Sequence, residues 1–241
     1  MNLKVKVFSD AHGYLPVINE EFDLLLIAGD ITPALWRYSN IYNQKDWLKN
    51  EFRDWLITLP FRNGYSKVFL VPGNHDGVFE KLPKEELDEV ISFIGNRLEL
   101  LIHEEKQFIY LDEDNNEKSL RIFGTPYCKK FGDWSFMKTK KFLNEAFSQI
   151  PTGLDVLVTH DPPTLNNMGL ITQGWQYGKE AGNEILAKYV LKAKPKYLFS
   201  GHIHSGNHIL QEHKGIMMAN VSHVDEAYNP VFDVLTFEIE K

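Results

Sequence analysis

The chain has 241 residues, 43% hydrophobic and 24% charged, which excludes a disordered, collagenous or coiled-coil protein and suits one large α/β domain spanning 1–241. A formal net charge of -7, with no run rich in Lys or Arg, argues against a protein that grips nucleic acid through its phosphates. One cysteine, Cys128, excludes an intrachain disulfide framework and reads as a packed thiol.

The amino-terminal residues run straight from a strand-like segment, 3–8, into Ser9-Asp10, without the apolar core or cleavage site of a secretory signal. The purest apolar run, 24–28, is too short to span a membrane, so the expectation is a soluble cytoplasmic chain with no membrane partner. Residues 68–71, 156–158 and 197–199 form further short runs of Val, Leu, Ile, Phe and Tyr. All five are near-continuous rather than alternating, as in strands buried on both faces.

Helical stripes lie between them. Leu48, Phe52, Trp55, Leu56 and Leu59 share one face, and so do Leu87, Val90, Ile91 and Ile94 after Pro83. Phe142, Leu143, Ala146, Phe147 and Ile150 form a third set, and Ile185, Leu186, Tyr189 and Val190 a fourth. Residues 108–111 and 120–123 flank a polar stretch and predict a hairpin. From Ile209 to Ile239 the pattern is short and β-like.

The polar residues that follow the five apolar runs carry the chemistry. In order they are Asp10-Ala11-His12, Gly29-Asp30, Gly73-Asn74-His75-Asp76, His160-Asp161 and Gly201-His202-Ile203-His204. The carboxyl ends of parallel strands form the crevice where α/β proteins bind ligands, so these motifs are expected at one rim. Imidazole, carboxylate and amide oxygen without thiolate suit divalent Mn, Fe or Zn. Two cations about 3.5–4 Å apart, bridged by Asp30, would clamp the attacking and leaving oxygens of a displacement at phosphorus.

Singly, each motif has a plainer explanation. Asp-x-His and Gly-Asp are common in turns, and only the five together, in order and each at a strand end, point to a site. His103, His208, His213 and His223 lack this context and read as surface or core residues, with His208 and His223 close enough in sequence to the last motif to line it. Rim aromatics for stacking on a nucleobase would come from Trp36, Tyr38, Trp134, Phe136, Trp175, Tyr177 and Tyr228, although packing explains any one of them.

The motif set resembles the calcineurin-like metallophosphoesterase superfamily. Gly29-Asp30-Ile31-Thr32, Gly124-Thr125-Pro126, Trp134-Ser135-Phe136, His160-Asp161-Pro162-Pro163, Asn220-Val221-Ser222 and Pro230-Val231-Phe232-Asp233 are similar to its small MPPED-type members. The resemblance implies a four-layer α/β/β/α sandwich with a dinuclear site. One metal would be held by Asp10, His12, Asp30 and His204, and the other by Asp30, Asn74, His160 and His202, with Mn the favoured ion. His75 would bind no metal and would protonate the leaving oxygen, with Asp76 orienting it. The implied activity is hydrolysis of small phosphodiesters, cyclic nucleotides included, by a hydroxide bridging the metals.

The alternatives are a phosphomonoesterase or pyrophosphohydrolase on the same site, and a non-catalytic scaffold with unknown protein partners. The protein phosphatases of the superfamily carry Gly-Asp-x-Val-Asp-Arg-Gly. Here Gly29-Asp30-Ile31-Thr32-Pro33-Ala34-Leu35 lacks that arginine, which argues against a protein phosphatase. The nucleases of the superfamily add a DNA-binding cap for which 241 residues leave no room.

Overall fold

A computed structural model describes residues 2–35, 39–112, 114–174 and 176–240. In chain order the early strands are β1 (Leu3–Phe8), β2 (Leu24–Ala28), β3 (Lys67–Val71), β4 (Leu98–Leu100), β5 (Glu104–Leu111) and β6 (Glu117–Thr125). The later ones are β7 (Cys128–Lys129), β8 (Met137–Lys138), β9 (Val156–Thr159), β10 (Tyr197–Ser200), β11 (Gln211–His213), β12 (Ile216–Asn220) and β13 (Leu235–Ile239). One sheet has the order β13-β1-β2-β3-β4 and the other β11-β12-β10-β9-β6-β5, with β7 and β8 a separate pair. Within each sheet the central strands run parallel, and antiparallel pairings occur only at the edges, β13 in the first and β5 and β11 in the second.

The near-continuous apolar runs are strands buried on both faces, as expected. Along β2, Leu24, Leu26 and Ala28 point between the sheets while Leu25 and Ile27 point to the helix layer. Along β9, Val156 and Val158 point between the sheets and Leu157 points away. Three apolar layers result, and with helices outside each sheet the fold is an α/β/β/α sandwich.

Over the first sheet lie α1 (Ile41–Trp47), a π-helical turn (Leu48–Phe52), α2 (Arg53–Thr58), α3 (Val78–Lys81) and α4 (Lys84–Ile94). Over the second lie α5 (Lys140–Phe147) and α6 (Glu184–Ala193). The sequence stripe from Leu48 to Leu59 therefore runs through a π turn, a form frequent at functional sites, and Glu51 of this turn, with Trp47 at the end of α1, lines a cavity over the strand ends. Two details of the third stripe differ from expectation. Ile150 lies beyond the end of α5 yet stays buried, and Phe142 is half-exposed because the helix turns it away from the sheet. The hairpin is present, with Phe108 opposite Leu120. Among the described residues no helix is long and apolar enough to cross a membrane.

Candidate metal centre

The carboxyl ends of β1, β2, β3, β9 and β10 meet at one rim, and the loops after them bring together Asp10, His12, Asp30, Asn74, His160, His202 and His204. All are buried except His202, which is partly exposed. Asp10, His12, Asp30 and His202 have φ of 50°, 45°, 53° and 67°. Left-handed backbone costs a residue with a side chain about 1–3 kcal/mol and persists where surrounding structure compels it, typically at functional sites. Four such residues among seven mark this rim as built for its side chains rather than for stability.

Two glycines of the motifs have steric reasons. A Cβ on Gly73 would overlap Asp30 Oδ1, and one on Gly29, whose φ is 99°, would overlap His160 Nδ1. The backbone thus runs against the polar atoms themselves, which only glycine permits.

The hydrogen bonds decide which ring atoms are free. His160 Nδ1 lies 2.8 Å from Ala28 O, and His204 Nδ1 lies 2.9 Å from Asp225 O. A carbonyl only accepts, so each Nδ1 carries the proton and each Nε2 faces inward. There His160 Nε2 meets Asn74 Oδ1 at 3.0 Å and Asp30 Oδ2 at 3.3 Å. His204 Nε2 meets His12 Nε2 at 3.4 Å and Asp10 Oδ1 at 3.5 Å. His12 Nε2 is also 3.8 Å from Asp30 Oδ2. Lone pairs facing one another this closely require a proton or a metal ion between them.

The proton alternative appears in the charges of the cluster. Burial opposes a charge on His160 and His204, yet Asp30 outweighs it at the first and Asp10 at the second, raising them to about 10 and about 9. Burial pushes His12 and His202 down, to about 4 and about 3, with neighbouring imidazoles adding to the effect. Burial also works against ionising Asp10 and Asp30, but the histidines hold both below the usual carboxylate range. Four imidazoles around two carboxylates therefore divide into two proton holders and two that stay neutral. The groups Asp10/His12/His204 and Asp10/Asp30/His160 each bring their ligand atoms within 4.8 Å and are candidate cation sites.

The two oxygens of Asp30, the residue expected to bridge, have different surroundings. Its Oδ1 accepts from His75 N at 2.7 Å, and its Oδ2 faces both His12 and His160. Asp10 is held by Ser222 Oγ at 2.8 Å, by Ser9 Oγ and by His202 N.

His75 stands at the cavity edge. Its ring is 4.9 Å from that of His12, edge to face, and 4.4 Å from that of Trp134. Asp76 was expected to orient that ring, and the structure corrects this. Its oxygens accept from Ile31 N, Thr32 N, Thr32 Oγ1 and Gly73 N at 2.8–3.2 Å, so it ties the β2 loop to the β3 loop. Burial and the nearby Asp30 raise its carboxyl to about 6. A carboxylate one residue from the histidine turns away because four donors surround it.

Two supports have a role that sequence reasoning missed. Gln44, on α1, donates to His75 O and accepts from Val78 N, both at 2.8 Å, and so clamps the Asn74–Gly77 turn. Asp161 accepts from Lys129 N and from Asn183 Nδ2, the residue that caps α6. A buried polar residue on an otherwise apolar stripe was the one available signal for Gln44.

A cavity of about 840 Å³ opens over the cluster, lined by His12, Asp30, Asn74, His75, His202 and His204 together with Trp134, Phe131 and Tyr228. Among the aromatics expected at the rim, Phe136 is 2% exposed in the core and Tyr177 is exposed away from the cavity, while Trp36, Tyr38 and Trp175 lie outside the described residues. His208 stacks on Phe232 and bonds His204 O, and His223 bonds Phe232 O, so both brace the rim from behind. Cys128 is buried, with its thiol pushed well above the usual range by burial, and it sits beside His160 and His202.

Known proteins resemble the chain in sequence and in fold. The model of the calcineurin-like phosphoesterase family matches residues 3–206. A UPF0046 protein of Caenorhabditis elegans is 30% identical over 76% of this chain and 46% of its own length. The human metallophosphoesterase domain-containing protein 1 is 26% identical over 85% of this chain and 61% of its own. The chain thus spans roughly half of these relatives. Among solved structures, a phosphopantetheinyl hydrolase of Mycobacterium tuberculosis superposes with a TM-score of 0.53 at 14% identity, covering 93% of this chain and 90% of that one. The calcineurin-like phosphoesterase YfkN of Bacillus subtilis gives 0.51 at 15% identity, covering 91% and 80%. At such identities the likeness is one of fold.

Proposed function

The chain belongs to the calcineurin-like phosphoesterase family, and on that premise we propose that it is a phosphodiesterase working with two divalent metal ions, Mn favoured, on small phosphodiesters such as cyclic nucleotides. One ion would be held by Asp10, His12, Asp30 and His204, the other by Asp30, Asn74, His160 and His202. When bound, such ions neutralise phosphate charge and lower the pKa of water.

One observation carries the preference for diesters. Among the described residues lining the cavity there is no Lys or Arg, whereas Glu51 and Glu226 are on its wall. A diester brings a single negative charge, which the metals can meet. The second charge of a monoester would find no side-chain cation, and it would face two carboxylates.

The chain's own residues then have separate tasks. Asp30 Oδ1 fixes the His75 backbone, Gln44 holds the next carbonyl, and the rings of His12 and Trp134 pin the imidazole. The His75 ring lines the cavity, where it is placed to protonate a leaving alkoxide.

The test is a comparison of bis(4-nitrophenyl) phosphate with 4-nitrophenyl phosphate and a dinucleoside pyrophosphate, at equal Mn. Faster turnover of the diester is expected. Faster turnover of either other substrate would replace this reading with the monoesterase or pyrophosphohydrolase one.

A further inference from the structure

A fastened backbone carries two uncovered rings over the site. The excursion from β7 to β8, residues 128–138, is tied at both ends. Lys129 N donates to Asp161 Oδ2 at 2.9 Å, and Lys129 Nζ reaches the carbonyls of Ala181 and Gly182. Ser135 N donates to Asn74 O at 3.2 Å, Phe136 N to Glu80 Oε2 at 2.9 Å and Lys138 Nζ to Glu80 Oε1 at 2.7 Å. Phe136 has φ 58° and is buried against the first sheet's helix layer, a conformation that a bulky residue accepts only under tertiary constraint.

Between these anchors Phe131 is 65% and Trp134 49% exposed, and both line the cavity. The ring of Phe131 is 5.5 Å from that of His202, and the ring of Trp134 lies 4.4 Å from His75 with 35° between the planes. A folded chain ordinarily covers such rings, each of which can bury about 150–250 Å². Here the same arm buries Phe136 and leaves Trp134 open, although a single residue separates them. The open face borders the cavity that substrate must enter.

We infer that this arm is a subsite for a planar aromatic ring carried on the leaving alcohol of the substrate, with Trp134 as its platform. The inference rests on the phosphodiesterase reading, which places the leaving oxygen beside His75. The ligand class is a phosphodiester whose leaving group bears an aryl or nucleobase-like ring and no second phosphate. Stacking supplies the recognition, because a π face needs no hydrogen-bond partner and every flat ring offers one.

The experiment compares kcat/KM for dibenzyl phosphate and bis(cyclohexylmethyl) phosphate with the Mn-loaded full chain. Their leaving alkoxides are alike in basicity and differ in flatness. The expected preference for the benzyl ester is about five-fold, the scale of one aromatic contact. It should fall to about one in Trp134→Leu and be kept in Trp134→Phe. A wild-type ratio near one overturns the subsite while leaving the phosphodiesterase standing. A Trp134→Leu variant slowed equally on both esters also overturns it, because Trp134 would then only brace His75.

If the wild type hydrolyses neither these esters nor bis(4-nitrophenyl) phosphate, the activity reading fails, and calorimetry with benzylphosphonate and cyclohexylmethylphosphonate decides the subsite, as it does if only these two esters are refused. A benzyl preference lost in Trp134→Leu supports it, and equal affinities overturn it. A dinucleoside monophosphate in the kinetic assay identifies the source of the ring. Given a benzyl preference, turnover at least as fast as dibenzyl phosphate assigns a nucleobase as the ring, and slower turnover overturns a nucleobase and assigns a smaller aryl group.

Discussion

The two halves of the site are held by two buried carboxylates that work differently. On the first sheet, Asp76 gathers four donors from the loops after β2 and β3, and both of its oxygens are used. On the second sheet, Asp161 gathers Lys129 N and Asn183 Nδ2 on Oδ2 alone, and among the described residues its Oδ1 has no partner. The first half contains three left-handed residues of the cluster, Asp10, His12 and Asp30, and the second one, His202. More strain thus coincides with the fuller brace. The first half is the more heavily braced side, carrying Asp30 and His75, and the second is an imidazole wall tied to a surface arm.

The strongest way to break this contrast is at the chemistry of the first half. His75→Ala is expected to lower kcat about 10²–10⁴-fold on diesters with alkyl leaving groups, as for loss of a general acid. Its metal content, measured by elemental analysis, should be unchanged. Normal turnover would remove the acid from this half.

The imidazole wall is sensitive to pH. A cation can bind His160 and His204 only after they give up protons held to about 10 and about 9. Affinity should therefore rise with pH through the neutral range and fall as pH drops, by up to about 100-fold per unit if both protons are displaced. Calorimetry in buffers of different ionisation enthalpy should find about two protons released per chain loaded. Affinity that is flat from pH 6 to 8 would contradict the charge division described for the cluster.

The braces themselves come next. Asp76→Asn turns an amide toward N–H groups that it cannot satisfy, and metal affinity should fall about 10–100-fold. Asp161→Asn can keep Oδ2 as acceptor for both partners, so a loss below about five-fold is expected. Equal losses in the two variants would erase the comparison.

The smallest effect lies in the arm. Burial opposes ionisation of Glu80, but Lys138 and Phe136 N hold its carboxyl below its usual value of 4.5. Its folded-state pKa is depressed, so its contribution is present above pH 4.5 and is lost as pH falls through the lowered value. Hydrogen exchange at the Phe136 amide should accelerate a few-fold in acid, and Glu80→Gln should abolish that dependence while keeping an acceptor for the amide.

What was legible in the sequence was whatever the chain states locally. The runs 24–28 and 156–158 name doubly buried strands because every position is apolar, and the polar residues just after them announce the rim. What was illegible depends on contacts distant in sequence. Asp76 follows His75 directly, yet its partners include Ile31 and Thr32, more than forty positions earlier. Trp134 and Phe136 read alike in sequence, and only the anchors at Glu80 and Asn74 decide which ring is buried. The π turn after α1 was masked because its stripe fits an α-helix nearly as well.

A titration of Mn into chelator-stripped protein, followed by hydrolysis of bis(4-nitrophenyl) phosphate, tests the central claim most directly. Activity should be absent without metal and reach its plateau at about two ions per chain, the count expected for a two-metal clamp on one shared carboxylate. Full hydrolysis without metal, or two ions bound and no hydrolysis, would contradict it.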